Sequence, residues 1–185
     1  MEALFNSTLA VAIAEVGDKT QLLSLLLAAR FKQRHLIILG ILVATIANHG
    51  ISAWLGAWLT TLIPDGVGKW LIGGSFILIA LWVLIPDGEE DVPKKVEEYG
   101  AFVATLVLFF LAEIGDKTQI ATVILAAQYG SIFWVTIGTT LGMLIANVPV
   151  VYAGAWLLQR ISFKYARWAA CLLFALMGIA IIAGL

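Results

Sequence analysis

Apolar positions in this chain gather into six long runs, at residues 4–29, 36–62, 67–85, 100–127, 132–158 and 166–185, separated by short polar stretches. Each run is about 19 residues or longer, enough as a helix to cross the roughly 30 Å hydrocarbon core of a bilayer. Pro64 and Pro86 stand where the second and third runs end, as suits a residue that cannot continue a helix. Gly130-Ser131 leaves room only for a tight turn between the fourth and fifth runs. The pattern predicts an all-α integral membrane protein with six transmembrane helices.

Composition agrees. Of 185 residues, 62% are hydrophobic and 12% charged, with a mean hydropathy of +1.00. A water-soluble domain is closer to half apolar and about a quarter charged. A net charge of -1 offers no electrostatic footprint for nucleic acid. Cys171 is the lone cysteine; it has no intramolecular disulfide partner and reads as a small core hydrophobe. The first residues, Met1-Glu2-Ala3-Leu4-Phe5-Asn6, carry no basic region, so neither a cleavable signal nor a transit peptide is expected.

Lysine and arginine positions predict the orientation. The connections after helices 1, 3 and 5 hold Arg30, Lys32, Arg34, Lys94, Lys95, Arg160, Lys164 and Arg167, whereas the other side holds only Lys69. Basic loops stay in the cytoplasm. Both termini are therefore expected outside, and the protein in the cell (plasma) membrane. The stretch 87–98 reads D-G-E-E-D-V-P-K-K-V-E-E and is expected to be a solvated, acidic cytoplasmic linker. The seven tryptophans read as interface anchors and packing groups.

The same count isolates two lysines, Lys19 and Lys117, that lie within apolar runs. They belong to two matching motifs, E-V-G-D-K-T-Q at 15–21 and E-I-G-D-K-T-Q at 113–119. At the same offset of 98 positions, Leu27-Ala28-Ala29 pairs with Leu125-Ala126-Ala127, and Gly40 with Gly138. Gly56-Ala57-Trp58-Leu59 pairs with Gly154-Ala155-Trp156-Leu157, and Ala47-Asn48 with Ala146-Asn147 after a slip of one. The chain thus reads as two three-helix repeats, 1–86 and 99–185. Because three is odd, the second copy enters the membrane from the opposite side. Inverted repeats of this kind place transport sites at the midplane between the halves.

Glu15 and Glu113 fall near the middles of their runs, and each motif brings a Glu, an Asp and a Lys to that depth. One ionised residue there costs about 2.5–3.5 kcal/mol, so six must face protein, water or an ion. Two carboxylates and one ammonium per motif give a combined charge of minus two, which suits one divalent cation, or two protons in its absence. The candidate metal ligands are Glu15, Asp18, Gln21, Glu113, Asp116 and Gln119, with Ser24, Thr122, Asn48 and Asn147 as further candidates. This is a hard, all-oxygen set that suits Ca²⁺, Mn²⁺ and Mg²⁺, and Mg²⁺ least, since it dehydrates reluctantly. The ion is expected as a transported ligand, and no cofactor is expected.

Helical geometry complicates this set. Glu15, Asp18 and Lys19 share an arc of about 100°, with Thr20, Gln21 and Ser24 roughly opposite. Either the helix is buried on all sides or it unwinds near Gly17. Gly17 and Gly115 allow a break or a close helix crossing, and a break would free carbonyls as ligands. Lys19 and Lys117 are expected to balance the carboxylates as ion pairs. Thr20 and Thr118 are expected to bond to their own backbone or a neighbouring helix. His49 follows Asn48 and is a candidate proton relay, although Val148 stands at its counterpart in the second repeat.

Twin E-x-G-D-[KR]-[ST] motifs in a small six-helix protein resemble the cation antiporter family of Golgi and chloroplast manganese/calcium transporters and bacterial manganese exporters. The resemblance covers the whole chain. It implies exchange of Mn²⁺ or Ca²⁺ for protons, with Glu15, Asp18, Glu113 and Asp116 central, and manganese efflux as the task of a bacterial-type member. Partners are then the divalent ion, protons and the lipid bilayer; the sequence is silent on homo-oligomers. One rival reading is a passive divalent-cation channel. Another is an intramembrane aspartyl protease, but the E-V-G-D and E-I-G-D motifs lack that class's first glycine and place a lysine after each aspartate.

Overall fold

A computed structural model of the chain describes residues 1–64, 66–86, 96–160 and 162–185. Most of the linker expected at 87–98 lies outside these residues; its end runs into a single 3-10 turn at Val96–Tyr99. The described residues are helical, with no strand among them. The helices are α1 (Glu2–Ala14), α2 (Lys19–Arg30), α3 (Arg34–Thr60), α4 (Gly68–Trp82), α5 (Gly100–Glu113), α6 (Lys117–Tyr129), α7 (Ile132–Ala153), α8 (Ala155–Leu158) and α9 (Phe163–Ala183).

Three of them, α3, α7 and α9, are each long and apolar enough to cross a membrane. The apolar α1, α4 and α5 are shorter. The run 132–158 does not continue as one helix, because Gly154 takes a positive φ of 61° and separates α7 from α8. Runs 4–29 and 100–127 each divide into two half-helices, α1–α2 and α5–α6, with both breaks inside the E-x-G-D motif. This settles the geometric problem posed by a straight helix: unwinding occurs.

The packing exchanges partners between the halves of the chain. Helix α1 lies against α7, and α5 against α3. The long helices α3 and α7 pack on each other, as do α4 and α9. Glycines permit the closest approaches. A Cβ added at Gly138 or Gly142 would sit 2.7 Å from the Leu4 or the Thr8 carbonyl oxygen of α1. Placement of the α4–α9 pair is one-sided. Helix α4 also rests on α6 and α9 on α1, whereas neither packs comparably on α5 or α2 among the described residues.

One apolar cluster joins Phe76 and Phe174 of α4 and α9 to Ala121, Leu125 and Val135. A second gathers Leu27, Ile37, Ile41, Phe109 and Met143. The exterior is also apolar: Leu39, Ile46, Trp54, Leu78, Leu111, Ile145, Leu172 and Ile179 are all exposed. Only 17% of the apolar window of α9 is buried. Much of the polarity is instead internal, including Glu15, Asp18, Gln21, Asn48, His49, Glu113, Asp116 and Asn147. An apolar surface around a polar interior is the arrangement a bilayer stabilises and water does not.

Candidate metal site

Each residue of the motif has a separate local task. Glu15 caps the end of α1, and Glu113 is the last residue of α5. Gly17 and Gly115 then turn the backbone at φ +83° and +76°, a region glycine enters without the steric cost of a Cβ. Asp18 and Asp116 are the N-caps of α2 and α6, each accepting from the N–H two residues on, at 3.4 Å from Thr20 and 3.3 Å from Thr118. A side-chain acceptor at that position satisfies a donor that the first turn leaves orphaned. The sequence E-x-G-D is thus a helix end, a left-handed turn and a helix start in four residues.

The glutamines brace the turn. Gln21 Oε1 accepts from the Gly17 N–H at 2.8 Å, and Gln119 Oε1 accepts from the Gly115 N–H at 2.6 Å. The Gln21 amide also donates to the Ala146 carbonyl of α7 at 2.9 Å. Both amide oxygens, expected among the ligands, are engaged in holding the breaks.

Carboxylates from the two motifs meet between the half-helices. One oxygen each from Glu15, Glu113 and Asp116 can be chosen so that all three lie within 4.8 Å of one another, and all three residues are buried. A divalent cation with oxygen ligands at about 2.0–2.6 Å spans opposite ligands at about 4–5 Å, so the cluster has the dimensions to clasp one. The Oε1 atoms of Glu15 and Glu113 have no hydrogen-bond partner. Their other oxygens are held: Thr20 Oγ1 donates to Glu15 Oε2, and Thr118 Oγ1 donates to Glu113 Oε2 at 3.2 Å and Asp116 Oδ2 at 3.1 Å. The threonines therefore bond to the carboxylates of their own motif, reaching across the break to the preceding half-helix and not to a backbone carbonyl. The break brings residues five apart to within bonding reach, which an unbroken helix would not do.

The charges are partly offset. Lys19 Nζ stands 3.6 Å from Asp116 Oδ1, so the lysine of one motif pairs with the aspartate of the other. Lys117 donates to the Ile85 carbonyl beyond α4. The N-termini of α2 and α6, where helix dipoles are positive, begin at the two aspartates.

Other candidates lie outside the triad. Asp18 is buried beside a cavity of about 10 Å³ that Lys117 and Arg167 also line. Ser24 donates to Asn147 Oδ1 at 2.8 Å, and Asn147 donates to the Met143 carbonyl at 3.1 Å. Thr122 donates to the Thr118 carbonyl, and Asn48 to the Phe110 carbonyl at 3.0 Å. The Ser24–Asn147 and Asn48–Phe110 bonds tie helices together around the cluster, whereas the Thr122 bond stays within α6. His49, fully buried, brings Nε2 to 3.8 Å from Glu113 Oε2. Phe163 was not foreseen in the sequence: its side chain covers Gly17, and only its distance of more than 140 positions hid it.

A helical body that is apolar outside and carries an ion-sized cluster of carboxylates inside has the make-up of a membrane protein that handles cations. Comparison with known proteins gives the family. Residues 3–91 and 101–184 match the model of the divalent cation/proton antiporter GDT1, and the chain belongs to that family. It is 48% identical to the "Putative manganese exporter" of Vibrio cholerae over 97% of this chain and 90% of that protein. It is 28% identical to the GDT1-like protein sll0615 of Synechocystis sp., over 97% and 96% of the two chains. GDT1-like protein 3 of Oryza sativa subsp. indica is 29% identical over 87% of this chain and 66% of its own length. No solved structure gave a significant match.

Proposed function

We propose that this protein exports a divalent cation, Mn²⁺ in preference to Ca²⁺, in exchange for protons, through the Glu15–Glu113–Asp116 cluster. One observation carries the reading: buried carboxylate oxygens from both motifs lie close enough to share one ion. Protons and metal would compete for the same oxygens, so loading one releases the other. Membership in a divalent cation/proton antiporter family supports the exchange, and the name of the 48% identical Vibrio cholerae relative supports manganese. Asp18 remains a candidate ligand from the first motif, buried at the N-cap of α2.

In this reading the protein has six spans in the plasma membrane, α1–α2 and α5–α6 each serving as one interrupted span. Residues 1–86 and 99–185 form two inverted three-helix repeats, joined by the acidic linker. The mirrored pairings of α1 with α7 and α5 with α3, and of α3 with α7 and α4 with α9, support a two-fold relation. Basic connections after spans 1, 3 and 5 support an orientation with those loops in the cytoplasm and both termini outside.

The test is reconstitution in liposomes with a pH dye inside and Mn²⁺ outside. Mn²⁺ entry should drive proton exit in the wild type, and Glu113→Gln should abolish both while retaining its elution profile and helicity. Cation flux without proton counterflow would defeat the antiport reading in favour of a channel. Normal transport by folded Glu113→Gln would remove the cluster from the mechanism.

A further inference from the structure

His49 projects from α3 into the same buried region, and its ring is fully enclosed. The 3.8 Å from its Nε2 to Glu113 Oε2 is too long for a hydrogen bond, and neither ring nitrogen has a hydrogen-bond partner. Buried polar groups are nearly always satisfied, so two open nitrogens on one enclosed ring mark it out. Glu113, whose Oε2 the ring approaches, also carries an open Oε1. Helix α3 thus brings an enclosed ring with two open nitrogens against one of the three clustered carboxylates. The second half of the chain offers Val148 at the matching position, so the nitrogen enters from one side only.

Resting on the reading of the cluster as an ion site, we propose that His49 is a nitrogen ligand to the transported ion and the group by which the site favours Mn²⁺ over Ca²⁺. The ring stands at the edge of the carboxylate triad. Two ligands about 2.2 Å from a shared ion can be up to about 4.4 Å apart, so a separation of 3.8 Å is compatible with joint binding by Glu113 and His49. Glu15, Glu113 and Asp116 supply only carboxylate oxygen, which serves Mn²⁺ and Ca²⁺ alike. Ca²⁺ takes oxygen ligands, whereas imidazole suits transition ions. One imidazole among carboxylates raises Mn²⁺ relative to Ca²⁺, and the absence of thiolate from the triad avoids a soft site built for copper or zinc.

The experiment uses the full chain in nanodiscs, loaded with Mn²⁺ and examined by pulsed electron paramagnetic resonance. Wild-type protein should show a histidine ¹⁴N coupling that becomes a ¹⁵N coupling when histidine alone is isotopically labelled. His35→Gln should keep the coupling, and both His49→Gln and His49→Asn should lose it. In competition binding, the Mn²⁺-to-Ca²⁺ affinity ratio should fall at least tenfold in the His49 variants. Mn²⁺ that binds, is lost in Glu113→Gln, and yet shows no histidine coupling would overturn this proposal and leave the carboxylate site standing. An unchanged ratio in folded His49 variants would overturn the selectivity role. Mn²⁺ binding that Glu113→Gln leaves intact would bring down the site reading itself. The labelling experiment needs no variant, so it decides even if His49 substitutions fail to fold.

Discussion

Thr118 offers the sharpest test of how the cluster is held. Its hydroxyl donates to Glu113 Oε2 and to Asp116 Oδ2, so one oxygen orients two of the three clustered carboxylates. Thr118→Val removes the hydroxyl and keeps the branched shape. A hydrogen bond to a charged group contributes about 1.5–3 kcal/mol. Loss of a group that orients a metal ligand typically costs about 10–100-fold in metal affinity, or about 1.4–2.7 kcal/mol. The two estimates agree, so Mn²⁺ should bind Thr118→Val about 10–100-fold more weakly. Thr20→Val is the internal control, since Thr20 donates to Glu15 alone, and it should cost less. The assay is titration of purified protein with Mn²⁺, following the resonance signal of the free ion. Unaltered affinity in folded Thr118→Val, or a larger loss in Thr20→Val, would refute the assignment of the threonines as carboxylate holders.

Other outcomes follow from the same geometry. Gly115→Ala should destabilise by about 1–2 kcal/mol, the cost of an L side chain in the left-handed region, because a Cβ there meets open space. Gly17→Ala should cost more, since its Cβ would lie 2.5 Å from the Phe163 ring, and Phe163→Ala should relieve part of that excess; equal melting temperatures for the two alanine variants would contradict this. Mn²⁺ binding should release protons, increasingly as the pH is lowered, seen as a dependence of the calorimetric heat on buffer ionisation enthalpy; heats independent of buffer would show that the two cations do not share oxygens. Gly142→Leu should disrupt the packing of α1 on α7, where even a Cβ would approach the Thr8 carbonyl to 2.7 Å, and lower thermal stability without altering the motifs; an unchanged melting temperature would show that this contact is easily remodelled.

Much of the fold was legible in the chain because a bilayer imposes a coarse rule: the apolar runs contain the helices. The candidate cluster was legible for a related reason, since charges within such runs are too costly to be idle. What escaped was local. The helical wheel signalled that Glu15 and Thr20 face apart on a straight helix, but only the break shows that Thr20 can reach Glu15. The spacing E-x-G-D concealed a helix cap, because Asp18 and Asp116 look like ligands before they look like N-caps. Gln21 and Gln119 were similarly ambiguous, since an amide oxygen serves an ion or a backbone N–H equally well. The pairing of Lys19 with Asp116 depends on how two distant segments meet, which no spacing along the chain encodes. Of the two asparagine neighbourhoods, the asymmetry between His49 and Val148 was visible in the sequence, but the ring's two open nitrogens were not.

The one-sided seat of α4 and α9 has a further consequence. On the proposed two-fold relation, α1 exchanges with α5, α2 with α6, and α4 with α9. The contacts of α4 on α6 and α9 on α1 then become contacts of α9 on α2 and α4 on α5, which this structure does not make to a comparable extent. On that relation the chain would offer the α4–α9 pair two related seats, and this structure shows it in one of them.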